Sequence, residues 1–146
     1  GFNIRMTNLH AALLYSELNS IQKTIKKKCM ITNYYKSFIK ENNRVKILLP
    51  DTKKEILWIN KLIFLKAINA KKMINFLRKN NVKTDNFWIT MDQQPFLKKN
   101  ILFEKKFSNN SELFSRKVVP LPSSSFLEKR DIKNISNLIN KFLIKI

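Results

Sequence analysis

Side chains that could carry out acid–base, nucleophilic or metal chemistry are scarce in this sequence. His10 is the only histidine and Cys29 the only cysteine, so no Ser–His–Asp or Cys–His catalytic set can be assembled. No pair of Asp or Glu residues has the spacing of a metal site or a carboxylate dyad. Gly1 is the only glycine, which leaves no glycine-rich phosphate-binding loop. Residue types and spacing alone therefore indicate only a soluble, basic α+β domain. We expect His10 to have a structural role rather than to contribute to the site of a partner.

The strongest compositional signal is a net charge of +19, from 29 basic and 10 acidic residues. Such a charge usually indicates nucleic acid or an anionic membrane as a partner. The basic residues are mainly Lys, spread in short pairs, and only residues 26–28, with Lys23 one turn earlier, form a denser group. Readers of nucleic acid bases favour Arg, which is rare here. We therefore expect no nucleic acid partner and attribute the charge to the codon usage of an AT-rich genome. A stand-alone basic module that binds nucleic acid or an acidic partner is the alternative.

Neither a membrane span nor a signal peptide is predicted. No apolar run approaches the ~20 residues that a span needs, and the first residues lack the basic-then-apolar pattern of a signal peptide. We therefore expect a cytoplasmic protein. The chain opens at Gly1 rather than at Met, and this start indicates a fragment of a longer protein.

The first third of the chain is predicted to be a helical arm over residues 9–42. Thr7 or Asn8 can cap its start, and apolar residues then follow at helical spacing: Leu9, Leu13, Leu14, Leu18, Ile21 and Ile25. The pattern continues to Ile39, as one long helix or as two that join near residues 29–30. Its length suggests an arm that bridges two domains.

Residues 43–146 are predicted to form a small α+β domain, with a sheet covered by helices. Strands are expected over residues 45–49, 57–68, 82–89 and 118–121, and helices over residues 70–79, 111–117 and 131–144. Residues 91–100 are expected to be a loop.

Several segments resemble motifs of one enzyme family. Residues 1–12, G-F-N-I-R-M-T-N-L-H-A-A, resemble the signature G-Y-N-x-R-M-T-N-x-Q-A-A of the DegT/DnrJ/StrS sugar aminotransferases. Residues 76–89 are similar to that family's helix–strand unit, residues 91–96 to its M-H-x-Q-P-x loop, and residues 119–124 to its L-S-L-P-S-S strand. The family's members are pyridoxal-phosphate (PLP) enzymes of fold type I, the aspartate aminotransferase fold. The resemblance covers essentially the full chain in the family's order, and it implies the small C-terminal domain, preceded by the interdomain helix.

The resemblance implies roles for individual residues. Residues 1–8 would be an active-site loop that crosses a homodimer interface, and Asn3 would bind the cofactor phosphate in the partner subunit. Arg5 would lie near the pyrophosphate of a nucleotide-sugar substrate, although a structural ion pair at the interface is the alternative. Met6, Leu9 and Ala12 are expected in the core.

The sequence also departs from the family pattern. Asp92 stands where the family's loop has His, and Asp85 stands where the family has Arg, which puts the usual substrate contacts in doubt. Asp92 and Trp88 remain the candidate substrate-binding residues of this loop. For Trp88, burial in the small domain is the interpretation that we favour.

The resemblance also implies what the whole protein does. The family's Schiff-base Lys lies upstream of the signature, in a large domain that binds most of the cofactor, so no Lys or other residue of this chain is assigned a catalytic role. The whole protein would transfer an amino group from glutamate or glutamine to a nucleotide-linked keto sugar for cell-surface polysaccharide. This chain alone would be inactive.

Overall fold

The computed structural model of the protein describes residues 5–50, 55–97 and 105–145, and for residues 105–109 it describes the backbone only. The elements follow one another as α1 (Asn8–Phe38), β1 (Val45–Leu48), β2 (Lys61–Phe64), α2 (Ala67–Lys79), a 3₁₀ turn (Met91–Gln93), α3 (Lys105–Lys117), β3 (Val118–Pro120) and α4 (Lys129–Leu143). The predicted α+β class is confirmed.

The first helix, α1, is a single helix of 31 residues, so the alternative of two helices is wrong. Thr7 caps its start, because the Thr7 hydroxyl accepts a hydrogen bond from the His10 backbone N–H at 3.3 Å. The same hydroxyl lies 2.8 Å from Nδ1 of His10, which gives this imidazole a structural partner. At the other end, the side-chain amide of Asn140 in α4 donates to the Phe38 carbonyl and accepts from the Lys40 N–H. Both ends of α1 are thus satisfied by side chains.

The three strands form one antiparallel sheet in the order β1–β2–β3. Val45 lies opposite Phe64, and Ile63 lies opposite Val118. Alternate residues of β1 and β2 point into the core, as the two-residue period of a strand requires. The core combines this sheet face with apolar residues of three helices: Ile31 and Tyr35 of α1, Met73 and Leu77 of α2, and Ile132 and Ile139 of α4.

The strand predicted over residues 57–68 is too long, because β2 has only four residues. Its neighbours limit its length. Pro50 follows β1 closely and β3 ends at Pro120, and proline has no N–H to donate to a ladder. Trp58 and Leu65, which flank β2, are 69% and 64% exposed. The apolar run that suggested a buried strand therefore includes residues that lie at the surface.

The strand predicted over residues 82–89 is absent, and an irregular segment takes its place. Asn81, at a φ of 60°, turns the chain out of α2. The Thr84 hydroxyl then donates to the Pro120 carbonyl at 2.6 Å, so the segment contacts the edge of β3 through a side chain. Helix α3 begins six residues earlier than predicted (111 − 105), and α4 begins two residues earlier (131 − 129).

The N-terminal half of α1 lies outside the core. Residues 5–24 are all exposed, and Leu9 and Met6 are 70% and 60% exposed. The expectation that Met6, Leu9 and Ala12 are core residues is therefore wrong for the described part of the chain. The physical reason is that no described element lies over these turns of the helix.

In the same described residues, no helix is long and apolar enough to cross a bilayer.

A single hydroxyl at the centre of the core offers a test of this packing. Tyr35 is fully buried and donates a hydrogen bond to the Pro122 carbonyl at 2.8 Å. Tyr35→Phe should lower the free energy of unfolding by about 1–3 kcal/mol, because the carbonyl loses its donor. Burial also raises the pKa of the Tyr35 hydroxyl. The folded protein therefore keeps a proton that the unfolded chain loses above about pH 10, so stability is full below that pH and falls above it.

Urea unfolding across neutral and alkaline pH measures both effects. Tyr34→Phe is the matched control, since the Tyr34 hydroxyl donates to no other described residue. The packing account is contradicted if Tyr35→Phe leaves both the neutral stability and the alkaline slope unchanged.

Candidate functional site

The sequence-predicted site residues lie on two parts of the chain. Asn3 lies outside the described residues. Arg5 is exposed on the segment that precedes α1. Trp88 and Asp92 share the segment between α2 and α3, where Asp92 is half-buried in the 3₁₀ turn Met91–Gln93. Trp88 and Asp92 thus share one segment, and Trp58 and Phe87 are ring neighbours of Trp88.

Trp88 lies at the surface, and its predicted burial is wrong. The side chain is 55% exposed and stacks on Trp58, with 5.4 Å between ring centroids and 18° between ring planes. Trp58 was missed because it falls in the apolar run that predicted a buried strand. The only sequence signal for it is the residue type itself, since exposed tryptophan is common at binding surfaces.

Two phenylalanines extend this pair into an aromatic cluster, which consists of Trp58, Phe87, Trp88 and Phe114. The Phe87 ring lies 4.8 Å from Trp88 and 5.9 Å from Phe114, the latter edge to face. The ammonium group of Lys61 lies 5.8 Å from the centre of the Phe87 ring. Phe87 is half-buried, whereas the two indole rings are exposed, and of the two it contacts Trp88.

Trp58 is held in place by a junction of hydrogen bonds, which we call the Lys28 junction (Lys28, Trp58, Asn60 and Ser123). The Lys28 ammonium on α1 donates to the carbonyls of Trp58, at 3.0 Å, and of Ser123. The Ser123 hydroxyl accepts from the Asn60 backbone N–H at 2.8 Å. The Leu121 N–H in turn donates to the Asn60 carbonyl. The junction therefore ties α1, the entrance of β2 and the segment after β3 to one point.

Asp85, one of the two departures from the family pattern, has a structural partner. Its carboxylate forms an ion pair with Arg78 at the end of α2, and Arg78 Nε also donates to the Thr84 carbonyl at 2.9 Å. The backbone N–H of Asn86, and then the charge of Arg78, hold the pKa of Asp85 below its ordinary value. Asp85 thus fixes the segment that leads to Phe87 and Trp88.

A cleft of about 440 Å³ lies beside the aromatic cluster, between α2, α3 and the segment after Asn86. This volume is within the usual range of ligand sites. Phe87 forms one wall, and Lys71 and Arg116 contribute positive charge. Arg116 also forms an ion pair with Glu112, one turn earlier on α3. The cleft combines an apolar face with cations that suit an anionic ligand.

These residues are suited to binding rather than to bond making. The described residues contain no group of three or more His, Cys, Asp or Glu that could hold a metal ion. Their one imidazole, His10, is exposed on α1 and away from the aromatic cluster in sequence. Flat indole faces, by contrast, stack on planar or weakly polar ligands, with about 1–3 kcal/mol for a nucleic acid base on an aromatic ring.

The structure is similar to solved aminotransferases. Helicobacter pylori PseC, an aminotransferase involved in the biosynthesis of pseudoaminic acid, has a TM-score of 0.81 over 100% of this chain at 18% identity. A sugar aminotransferase from Micromonospora echinospora has a TM-score of 0.75 over 97% of this chain at 12% identity. A Streptococcus pneumoniae protein solved in a PLP form has a TM-score of 0.81 over 97% at 14% identity. At these identities the likeness establishes the fold, a small α+β domain of the fold type I kind.

The sequence comparison establishes the family. The profile of the DegT/DnrJ/EryC1/StrS aminotransferase family matches residues 1–140, and the chain therefore belongs to this family. The resemblance drawn from the motifs is confirmed. The chain spans only 40%, 37% and 36% of the length of the three solved chains, in the order given above.

The Lys28 junction can be tested by one substitution. Lys28→Met removes the donor to two carbonyls while it keeps the aliphatic stem, so we expect the free energy of unfolding to fall by about 1–2 kcal/mol. We also expect the exciton couplet of the Trp58–Trp88 pair in circular dichroism to weaken, because Trp58 loses its anchor. Lys36→Met, at an exposed position of α1 away from the other lysines of the helix, should change both quantities far less. Equal effects of the two substitutions would show that the junction does not position Trp58.

Proposed function

We propose that this chain is the C-terminal part of a PLP-dependent aminotransferase. The complete protein would act in the cytoplasm and transfer an amino group from glutamate or glutamine to a nucleotide-linked keto sugar. The amino sugar would then serve a cell-surface polysaccharide such as lipopolysaccharide. The family match over residues 1–140 is the observation that carries this proposal. The exposed aromatic cluster supports it, because a sugar nucleotide offers both a planar base and apolar sugar faces.

The exposed half of α1 supports a second part of the proposal, in which this helix bridges two domains. Leu13, Leu18 and Ile21 are 59%, 53% and 42% exposed, on a helix that has no described neighbour there. A row of apolar side chains at helical spacing is normally covered by another element. We propose that a large domain covers it, in keeping with the 40% of PseC that this chain spans.

The described residues would form only the edge of a PLP site. Bound PLP supplies the electron sink for amino transfer. That chemistry needs a lysine for the Schiff base and a carboxylate for the pyridine nitrogen. The cleft beside the aromatic cluster contains a lysine, Lys71, but no carboxylate. We therefore assign the main cofactor site, and the catalytic lysine, to the large domain.

We propose that Arg5 and Asn3 are the residues of this chain that lie nearest to the cofactor. They would reach the partner subunit of a homodimer, with Asn3 at the cofactor phosphate and Arg5 at the pyrophosphate of the substrate. The planar Arg fork suits a pyrophosphate, since it can donate two parallel hydrogen bonds. Arg5 precedes α1 and is exposed, so it is accessible to such a partner.

We propose that Trp88, Trp58 and Asp92 also contact the nucleotide-sugar substrate. The exposed faces of the two stacked rings would receive the base or the sugar. Asp92 would accept hydrogen bonds from sugar hydroxyls, where the family's histidine would donate one. This exchange of a donor for an acceptor predicts a substrate that differs in its hydroxyl pattern from that of relatives with histidine.

The family match does not favour the alternative of a stand-alone basic module.

The first test concerns the chain alone. The 146 residues, supplied with PLP, glutamate and a nucleotide-linked keto sugar, should form no 2-oxoglutarate, because none of their lysines is proposed to bind the cofactor covalently. Turnover above a protein-free control would contradict the assignment of the catalytic lysine to the large domain.

The second test concerns the complete polypeptide. Trp88→Ala should raise the KM for the nucleotide sugar about 5- to 150-fold, which corresponds to the loss of one stacking contact. The KM for the amino donor should stay unchanged, because the donor has no base to stack. Ile144→Ala removes an apolar side chain that is 87% exposed just after α4, outside both clefts, and serves as the control. An unchanged KM for the sugar in Trp88→Ala would remove Trp88 from the substrate site.

A further inference from the structure

A second cleft, which neither the family resemblance nor the proposed function uses, lies between α1 and the turn before α4. Its volume is about 620 Å³, and its walls come from residues 22–30 of α1 and from Ser125 and Phe126. We call it the lysine cleft and define it by Lys23, Lys26, Lys27, Met30 and Phe126. Lys23, the first of these residues, lies about 22 Å along the helix axis from Asn8, because each helical residue adds about 1.5 Å.

The three lysines of this cleft lie on one face of the helix. Lys23, Lys26 and Lys27 are three and four residues apart, and Met30 follows at the same spacing, so their side chains are neighbours. Like charges at this spacing repel one another and weaken a helix. No described carboxylate forms an ion pair with any of them. The only acidic residue of α1, Glu17, is too far along the helix to offset the charge. An anion in the cleft would relieve this repulsion.

The opposite wall of the cleft carries an apolar and unusually exposed ring, since Phe126 is 91% exposed. Met30, beside the lysines on α1, is 45% exposed. The turn that carries Phe126 is fixed, because the Phe126 and Leu127 N–H groups donate to the hydroxyl and the carbonyl of Ser124. The Phe126 ring is therefore presented at the mouth of the cleft by an ordered turn. A ligand with a planar or apolar body would cover it.

We propose that the lysine cleft binds a small phosphate-bearing molecule with a planar body, of the nucleotide class. The lysines would act as point charges for the phosphate groups, and Phe126 with Met30 would contact the base. The volume of about 620 Å³ fits one such molecule. An even spread of lysine along the chain does not account for three lysines that have no ion pair with a described carboxylate and that surround one concave, partly aromatic site. The proposal does not depend on the aminotransferase function.

Binding of ADP, pyrophosphate and adenosine to the 146-residue chain tests this proposal, by calorimetry at physiological salt. The variant K23Q/K26Q/K27Q should weaken ADP binding at least about tenfold, as expected for the loss of charged hydrogen bonds. The control K36Q/K133Q/K141Q removes the same charge from exposed positions of α1 and α4 and should retain the affinity of the wild type. Phe126→Ala should weaken ADP to the level of pyrophosphate while pyrophosphate itself is unaffected. All of the substituted side chains lie at or near the surface, so folding should persist.

Three results would overturn the proposal. Equal losses in the two triple variants would show that ADP responds to net charge alone. ADP binding that is unaffected by Phe126→Ala would show that the base does not lie in the cleft. Binding to phosphatidylglycerol vesicles that depends on the three lysines and is not reduced by ADP would assign the cleft to a lipid surface.

Discussion

The packing of the last turns of α1 into the core is the constraint on which the rest of the structure depends. Ile31 and Tyr35 are completely buried against the sheet and α4, and Asn140 holds the end of the helix. From this fixed end the helix extends back, and the apolar residues among positions 5–24 lie in solvent in the described chain. An isolated stretch of helix is only marginally stable in water. The energetic support of α1 within the described chain is therefore confined to its C-terminal end.

The two candidate binding surfaces are both positioned from this helix. Lys28, one turn before the buried segment, fixes the carbonyl of Trp58 and so places the stacked indole rings. The neighbouring Lys27 lines the lysine cleft instead. Because consecutive residues point about 100° apart on a helix, one short stretch of α1 can serve two different surfaces. The proposed aminotransferase function uses the first surface, and the proposed nucleotide site uses the second.

The sequence was most informative where one physical requirement decided the structure. The period of the apolar residues predicted α4, and the hydroxyl of Thr7 predicted the start of α1. The prediction of a strand over residues 82–89 failed because this segment contacts β3 through the Thr84 hydroxyl rather than through a backbone ladder, a tertiary fact that local pattern does not contain. Trp88 was expected to be buried, since a large apolar ring usually is. Its exposure depends on a stacking partner, Trp58, that lies 30 residues away in sequence (88 − 58).

Native-state hydrogen exchange along α1 tests the central claim most directly. The account predicts that the amides of residues 31–38 exchange only with global unfolding, because these turns belong to the core. It predicts that the amides of residues 12–24 exchange through local fraying, with protection that is lower by orders of magnitude. Strong and uniform protection along the whole of α1 in the 146-residue chain would contradict the account. Such a result would mean that the exposed half is already covered, and it would remove the reason for a large domain on that face.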